Sequence, residues 1–276
     1  MMAAACVASA ANYGDYELTP IKDSHTSMSI RLFPSLDEQE FIRLAGGREA
    51  RASVNTFLLQ GAGRTILVDA GNGSGVGQTA SRLQELGVSP DQVDAILLTH
   101  MHGDHIGGLL DAGGQPAFPK AEVYVSAPEK NYWKTAAGAG GDAARRVLTA
   151  YGERVKELCF GEEVLPGIKA LDASGHTPGQ AIFEIGELYL IADLLHAVDI
   201  QIPHPEACTT YDRDAAKAAA VRRAFYDAAA ASGKTVAGAH LPYPGIGHIS
   251  KADGRYTFLP LPSANIPVPP ADKESK

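Results

Sequence analysis

"ILLTHMHGDHIGG", residues 96–108, is the stretch of sequence that decides the fold of this chain. It places three histidines and an aspartate within the six positions from His100 to His105, after an apolar run and before two glycines. An apolar run that ends abruptly in polar residues is typical of a buried strand at its exit. The spacing excludes the helical H-E-x-x-H motif, whose two histidines share one helix face. We therefore predict a loop that carries metal ligands.

The glycines of this stretch have their own expected roles. We expect Gly103 to relieve crowding inside the loop. We expect Gly107 and Gly108 to let the next helix begin close beneath the loop. The loop alone cannot surround a metal ion, so further ligands must come from elsewhere in the chain.

Four other predicted strand ends present residues of ligand type. His176 stands in the turn "SGHTPGQ", and His240 follows the apolar run "TVAGA". Asp69 and Asp193 end the apolar runs "TILVD" and "YLIAD". One such residue is most often an ordinary turn residue, but four beside the histidine loop favour a shared site. A fold that gathers strand ends on one rim would bring them together.

The strand pattern predicts antiparallel pairs. Residues 53–69 and 181–193 each read as strand, turn and strand, with turns at Gly61–Gly63 and at Gly186. Because hairpins require antiparallel pairing, a single parallel sheet is excluded. Two packed sheets with helices outside satisfy the pattern.

Helices are predicted in three regions. "TASRLQELG" has helical spacing and ends at Gly87. Residues 127–158 contain helices that we expect to be broken at "GAGGD", and 212–231 form the clearest helix, with Asp212 as its N-cap.

The composition excludes several classes of protein. The net charge is −8 and there is no block of Lys and Arg, which argues against a nucleic-acid partner. No apolar stretch approaches the roughly 20 residues that a membrane-spanning helix needs. The cysteines Cys6, Cys159 and Cys208 are far apart, so they form neither a disulfide framework nor a zinc knuckle. We expect no membrane partner, and the sequence leaves a homodimer open.

The two ends of the chain differ in composition from the predicted strands and helices. Residues 1–12 contain Ala8-Ser9-Ala10, a cleavage pattern, but lack a basic region and a long apolar core. They are either the remnant of an export signal or an N-terminus without a role; we favour export to the periplasm over a cytoplasmic location. Residues 13–276 are predicted to form a single domain, whose Pro-rich end from 258 onward is extended.

The strings "THMHGDHIGG", "GHTPG", "IAD" and "GAH", in this order after Asp69, resemble the metallo-β-lactamase superfamily over nearly the whole chain. The resemblance implies an α+β fold, a four-layer αββα sandwich with a metal cleft on one rim. It implies two groups of metal ligands that share one bridging carboxylate. The first group is His100, His102 and His176; the second is Asp104, His105 and His240; the bridge is Asp193. Asp69 would brace the metal loop by hydrogen bonds.

A closer resemblance, to the methyl-parathion-hydrolase-like branch, is carried by "GDYELTPIKDS", "LLHAVDIQIPHPE", "RRAFYDAAA" and "AGAHLPYPGIGHI". In that branch a pocket aromatic stands where Trp133 stands here, although core packing would explain this residue equally well. Lactonases of the superfamily have a tyrosine three residues after the bridging aspartate. Here that position is His196, which would replace the tyrosine as a donor to the substrate or would simply be buried.

The implied chemistry is hydrolysis. Two divalent cations lower the pKa of bound water to about 7 and polarise a carbonyl or phosphoryl oxygen. Zn²⁺ suits the nitrogen and oxygen ligands best, and Mn²⁺, Fe²⁺ or Co²⁺ would also fit. No G-x-S-x-G motif offers a serine nucleophile, so a hydroxide that bridges the metals is expected to attack. Asp104, Asp193 and His196 are the residues expected to take part in catalysis.

The expected substrate is a small neutral ester: a lactone, a carboxyl ester or a phosphotriester. Thioesterase-type or β-lactamase-type hydrolysis stays open, while the acidity of the chain disfavours a nuclease. A persulfide dioxygenase with a single iron would need only the first three histidines. A relative that binds metal without catalysis is the remaining alternative.

Overall fold

The structure, a computed structural model, describes residues 11–73 and 75–261. The predicted export remnant, except for its last two residues, and the Pro-rich segment from 262 onward lie outside these residues. No helix in the described ranges is long and apolar enough to cross a membrane.

Within the described ranges, seven strands form the first sheet, in which they lie in chain order. They are β1 (Ala11–Tyr13), β2 (Tyr16–Ser29), β3 (Glu49–Gly61), β4 (Arg64–Val68), β5 (Ala95–Leu97), β6 (Glu122–Ser126) and β7 (Val155–Leu158). Strands β1 to β4 are antiparallel, and β4 to β7 are parallel. The predicted hairpin over 53–69 is confirmed as β3 and β4, whose turn includes Ala62 and Gly63 at positive φ.

Seven further strands of the described chain form the second sheet, in the order β14-β13-β12-β11-β10-β9-β8. They are β8 (Glu163–Leu165), β9 (Ile168–Asp172), β10 (Ala181–Ile185), β11 (Leu188–Leu190), β12 (Thr235–Ala237), β13 (Ile246–Ala252) and β14 (Arg255–Pro260). Only the β11–β12 pair is parallel within these strands. The second predicted hairpin is confirmed as β10 and β11, with Gly186 in the turn.

Helices cover the outer faces of both sheets. They are α1 (Glu38–Ala45), α2 (Thr79–Glu85), α3 (Gly103–Ile106), α4 (Ala127–Thr135), α5 (Gly138–Tyr151), α6 (Val198–Gln201) and α7 (Ala215–Ser232). Neighbouring strand residues face opposite layers: Leu59 is buried between the two sheets, whereas Leu58 is buried under the helices. On the second sheet, α7 contributes Tyr226 to the outer core. These layers confirm the αββα sandwich.

The clearest predicted helix begins later than expected. Asp214, not Asp212, is the N-cap of α7, and its side chain accepts a hydrogen bond from the amide of Lys217 at 3.0 Å. The predicted end is confirmed, because Gly233 adopts the left-handed conformation after Ser232. The carboxylate of Asp212 does not cap the helix, because it is hydrogen-bonded to His176 on another loop.

The predicted break between helices lies at the start of "GAGGD": α4 ends at Thr135, Gly138 takes a positive φ of 82°, and the rest of the segment forms the first turn of α5. A Cβ on Gly141 would lie 1.9 Å from the carbonyl oxygen of Ala136, and one on Gly140 would lie 3.1 Å from the ring of Trp133. Gly140 and Gly141 therefore have a second role, which is to let α5 pack closely against α4.

The glycines of the histidine loop also differ from expectation. A Cβ on Gly103 would meet no atom within 4 Å, so crowding does not require glycine there. Gly107 and Gly108 lie against the segment after β4. A Cβ on Gly107 would lie 2.2 Å from the backbone oxygen of Asn72, and a Cβ on Gly108 would lie 2.1 Å from the backbone oxygen of Ala70. This pair therefore allows two loops at the rim to touch.

Candidate metal centre

The strand ends that carry the predicted ligands meet at one rim of the sandwich. The loop after β5 leads into α3, and His102 is the residue that precedes this helix. His176 lies between β9 and β10, Asp193 follows β11 in a single 3₁₀ turn, and His240 follows β12. The two sheets thus contribute to the same site.

The first predicted group is assembled with the bridging aspartate beside it. The ligand atoms of His100, His102, His176 and Asp193 all lie within 4.8 Å of one another. His102 Nδ1 is 3.0 Å from His100 Nε2 and 2.9 Å from His176 Nε2. Three imidazole nitrogens therefore point at one small volume.

The second predicted group lies directly beside the first. The ligand atoms of Asp104, His105 and His240 are again within 4.8 Å of one another. His240 Nε2 is 3.4 Å from Asp104 Oδ2, and His105 Nε2 is 3.7 Å from the same oxygen.

Asp193 contacts both groups. One carboxylate oxygen, Oδ1, is 3.1 Å from His105 Nε2, and the other, Oδ2, is 3.1 Å from His240 Nε2. Oδ2 is also 3.3 Å from His176 Nε2 and 3.6 Å from His100 Nε2. Its position between the groups is the one that a bridging ligand requires.

Two orphaned atoms test whether these residues fit metal ions. His105 Nε2 and Asp193 Oδ1 are buried and lie 3.1 Å apart, but neither makes a hydrogen bond of good geometry among the described residues. Buried polar atoms are normally satisfied, so both atoms call for an additional partner beside them. Imidazole nitrogens and carboxylate oxygens are suitable donors for Zn²⁺ and similar divalent cations. The residues present therefore fit the implied metals.

Electrostatics favour the unprotonated form at three of these positions. Burial lowers the pKa of His100 well below its usual range. Burial and the nearby charge of His176 lower the pKa of His102 to about 3. Although burial alone raises the pKa of Asp193, the surrounding histidines, His240 first, hold it well below the usual range of a carboxyl. Neutral imidazoles and an ionised carboxylate are the forms that bind metal.

Asp69 lies where the predicted bracing role requires. Its Oδ2 is 2.8 Å from His105 Nδ1 and accepts a hydrogen bond from the Thr99 hydroxyl at 2.7 Å. Its Oδ1 accepts the Thr99 amide at 2.9 Å. Asp69 thus holds the start of the loop and orients one ring, and it is absent from the clusters of ligand atoms.

Sequence reasoning missed Asp212. Its Oδ1 lies 2.8 Å from His176 Nδ1, and its Oδ2 accepts the amide of Thr209 at 2.8 Å. Burial by itself raises the pKa of Asp212, but the hydrogen bond with His176 and nearby positive charges lower it to about 2. The buried guanidinium of Arg222 lies 3.6 Å from Oδ2. No local pattern marks this role, because an aspartate just before a helix predicts a cap.

The two predicted pocket residues do not line the cavity above the centre. The indole of Trp133 is buried behind His102, at 5.5 Å between ring centres, and donates to Glu129 Oε1 at 2.6 Å. His196 is fully buried and stacks on His240. Its Nε2 is 3.3 Å from Asp193 Oδ2, although neither ring nitrogen makes a hydrogen bond of good geometry among the described residues. The hydrogen bond to Glu129 holds the indole on the core side, whereas the ring of His196 packs there against His240.

The cavity has a volume of about 530 Å³, and Asp104, Asp193 and His240 line its floor. The strand β2 forms one wall with residues 24–28, and Tyr211 lies at the rim, 47% exposed. His25, a surface residue of this wall, and Tyr211 were not predicted as pocket residues.

Residues 51–240 match the family model of the metallo-beta-lactamase superfamily. The chain belongs to the metallo-β-lactamase superfamily. Among solved structures, AbOPH, a hydrolase in the beta lactamase superfamily, is 31% identical, with 92% of this chain and 97% of that chain covered and a TM-score of 0.82. AidC, a dizinc quorum-quenching lactonase in complex with a product, shares the metallo-β-lactamase fold at a TM-score of 0.86 and 24% identity, with the same coverage of 92% and 97%.

The anti-Pycsar protein Apyc1 of Saccharibacillus brassicae is a further relative, 28% identical over 167 residues. The match covers 58% of this chain and 65% of that protein, so the chain spans less than two thirds of this relative's length.

Proposed function

We propose that the protein is a dinuclear metal-dependent hydrolase of small neutral esters. The observation that carries this proposal is the position of Asp193, within 3.1–3.6 Å of histidine nitrogens from both ligand groups. A carboxylate that contacts two complete groups is the arrangement expected of a ligand shared by two cations. Asp104 completes the second group at the cavity floor.

The residues of the centre would bind the metal ions and orient the attacking water. His100, His102 and His176 would hold one cation, Asp104, His105 and His240 the other, and Asp193 both. The chemistry that two bound divalent cations supply is a water of pKa about 7 and a polarised substrate oxygen. Zn²⁺ suits these donors best. The carboxylates of Asp104 and Asp193 line the cavity and can orient the attacking water by hydrogen bonds.

The cavity favours an uncharged substrate. No Lys or Arg is found among the described residues that line it, whereas Met28, Val54 and Val76 supply apolar surface. Beyond the metal ions themselves, this lining offers a phosphodiester or another anion no Lys or Arg to pair with, whereas a lactone, a carboxyl ester or a phosphotriester needs none. We give lactones and carboxyl esters more weight, with phosphotriesters as a secondary activity. The fold shared with AidC, a quorum-quenching lactonase, supports a lactone substrate, and the resemblance to the methyl-parathion-hydrolase-like branch supports a phosphotriester.

Tyr211 is the cavity residue best placed to contact the substrate oxygen. Its ring stands 6.2 Å from that of His196, and it lines the cavity that His196 does not reach. A phenolic hydroxyl can donate a hydrogen bond to a carbonyl or alkoxide oxygen. We assign Tyr211 this contact, and we assign His196 the support of Asp193.

The completeness of the second group favours a dinuclear hydrolase over a persulfide dioxygenase with one iron, which would use only the first three histidines. Thioesterase-type and β-lactamase-type substrates share the same attack on a carbonyl, so the assay includes them.

The experiment measures metal content per chain and rates with lactones, aryl esters, thioesters and phosphotriesters, with Asp193→Ala as the control. We expect close to two divalent ions per chain, hydrolysis of at least one uncharged ester, and loss of both in the variant. One ion per chain, with activity that survives Asp193→Ala, would contradict the proposal.

A further inference from the structure

Glu129, on α4, is a fully buried carboxylate outside both ligand groups. Its Oε1 accepts hydrogen bonds from the Trp133 indole at 2.6 Å and from the Met101 amide at 3.0 Å. Its Oε2 accepts the Gly179 amide at 2.9 Å. In the described part of the chain, no Lys, Arg or His forms an ion pair with it.

Two of these three donors lie on the loops that carry the first ligand group. Met101 stands between His100 and His102 in the loop after β5, and Gly179 stands three residues after His176 in the loop between β9 and β10. The first loop leaves one sheet and the second belongs to the other. Glu129 therefore joins the two halves from which the first group is assembled.

The contact on the Gly179 side is close and involves more than one bond. A Cβ on Gly179 would lie 2.2 Å from the backbone nitrogen of Glu129, so no larger residue fits. The Ser126 hydroxyl donates to the Gly179 carbonyl at 2.6 Å and accepts the Glu129 amide at 3.2 Å. The helix start and the second loop are thus held as one unit.

Stability alone does not account for a carboxylate at this position. Burial of an unpaired charge is costly, and an apolar side chain of similar size often stabilises a core as well or better. Three hydrogen bonds offset the cost, and they also fix the positions of their donors.

We propose that Glu129 is a positioning residue that sets the distance of His100 and His102 from His176 and thereby the affinity of the first group for a divalent cation. This role rests on the proposed function only in requiring that the first group binds such a cation.

The test is the zinc affinity of metal-free protein, measured by competition with a chromophoric chelator. In Glu129→Gln the amide nitrogen cannot accept a hydrogen bond, so one of the two loops must lose its bond. We expect one of two zinc-binding events to weaken by about 10- to 100-fold, as when a partner of a metal-binding histidine is lost. The other event should stay within about twofold of the parent.

Two variants separate positioning from general damage. Trp133→Phe keeps the carboxylate and both loop bonds, and it should weaken zinc binding by less than about threefold. Leu165→Ala, a core change in β8 outside both ligand groups, shows what loss of folding stability alone does to zinc affinity. If Glu129→Gln does not fold, Glu129→Asp keeps the charge with a shorter reach and should weaken the same event to a smaller extent.

The role of Glu129 would be overturned if Glu129→Gln or a folded Glu129→Asp bound zinc as tightly as the parent. It would also be overturned if the loss of zinc affinity were no greater than in Leu165→Ala at equal folding stability. Asp104→Ala should weaken the other event, so the double variant with Glu129→Gln should weaken both; weakening of a single event in the double variant would likewise overturn it. A parent protein that binds two zinc ions but hydrolyses none of the esters would contradict the proposed function and leave this comparison intact.

Discussion

At the scale of single residues, the histidines of the centre are held from behind by different partners. The far nitrogen, Nδ1, of four rings contacts a polar group, which leaves Nε2 directed at the centre. These pairs are His100 with Thr99, His105 with Asp69, His176 with Asp212, and His240 with the carbonyl of Ser53. His102 differs, because its Nδ1 faces the centre. Of these partners, only Asp69 was expected from the sequence to brace the metal loop by hydrogen bonds.

Asp212→Ala should weaken the binding of zinc by about 10- to 100-fold, because His176 loses the acceptor that orients its ring. Asp212→Asn should have a smaller effect, since an amide oxygen can still accept the hydrogen bond. Chelator competition on the metal-free variants measures both. Equal affinities of Asp212→Ala and the parent would contradict the assigned role.

Tyr211→Phe should lower kcat/KM for esters by about fivefold, the equivalent of one hydrogen bond of about 1 kcal/mol. Metal content should not change, because Tyr211 is in neither ligand group. His196→Phe should instead reduce metal retention, since its ring supports Asp193. Unchanged rates in Tyr211→Phe across the ester panel would remove the tyrosine from the site.

At the scale of elements, turn chemistry predicted the hairpins correctly, while the glycines of the helical region have a packing role that was not predicted. The segment Gly61–Gly63 and Gly186 mark turns, because positive φ is needed at Ala62, Gly63 and Gly186. In "GAGGD", Gly138 takes a positive φ where α5 begins, while Gly140 and Gly141 serve close packing between α4 and α5, a need that arises only when both helices are present. A glycine run by itself does not distinguish a break from a contact.

Gly141→Ala should lower the free energy of unfolding by about 1–3 kcal/mol, because the added Cβ would collide with the backbone of Ala136. Gly47→Ala is the matched control, since its Cβ would meet no atom within 4 Å and its φ is not positive. Urea denaturation of both variants measures the difference. A loss in Gly141→Ala no larger than in Gly47→Ala would show that the helices can shift apart without cost.

At the scale of the whole molecule, the candidate centre joins the two sheets at one rim. The loop after β5 belongs to the first sheet, whereas His176, Asp193 and His240 belong to the second. Ala181 donates its amide to the Thr99 carbonyl at 2.8 Å, a backbone bond between the two halves. Ligands from both halves mean that metal binding and the docking of the sheets stabilise each other.

Removal of metal should therefore lower the melting temperature, and added zinc should raise it with the logarithm of the free ion concentration. A ligand at a thousand times its Kd stabilises a protein by about 4 kcal/mol. Differential scanning calorimetry at buffered zinc concentrations measures this dependence, and Asp193→Ala should show little of it. A melting temperature that is independent of zinc in the parent would contradict a centre shared between the sheets.

The sequence by itself was sufficient for two packed sheets with helices outside, for the two hairpins and for the candidate ligands on the strand ends, while the family resemblance implied the αββα order of the layers. These features follow from hydrophobic periodicity, turn residues and the spacing of His100 to His105, which are local properties of the chain. The tertiary structure alone decided that Asp212 orients a histidine, that Glu129 joins two loops, and that Tyr211 rather than Trp133 lines the cavity. These roles depend on groups far apart in the chain, and packing of the layers brings them together. A side chain's sequence neighbours do not specify its partners across a fold.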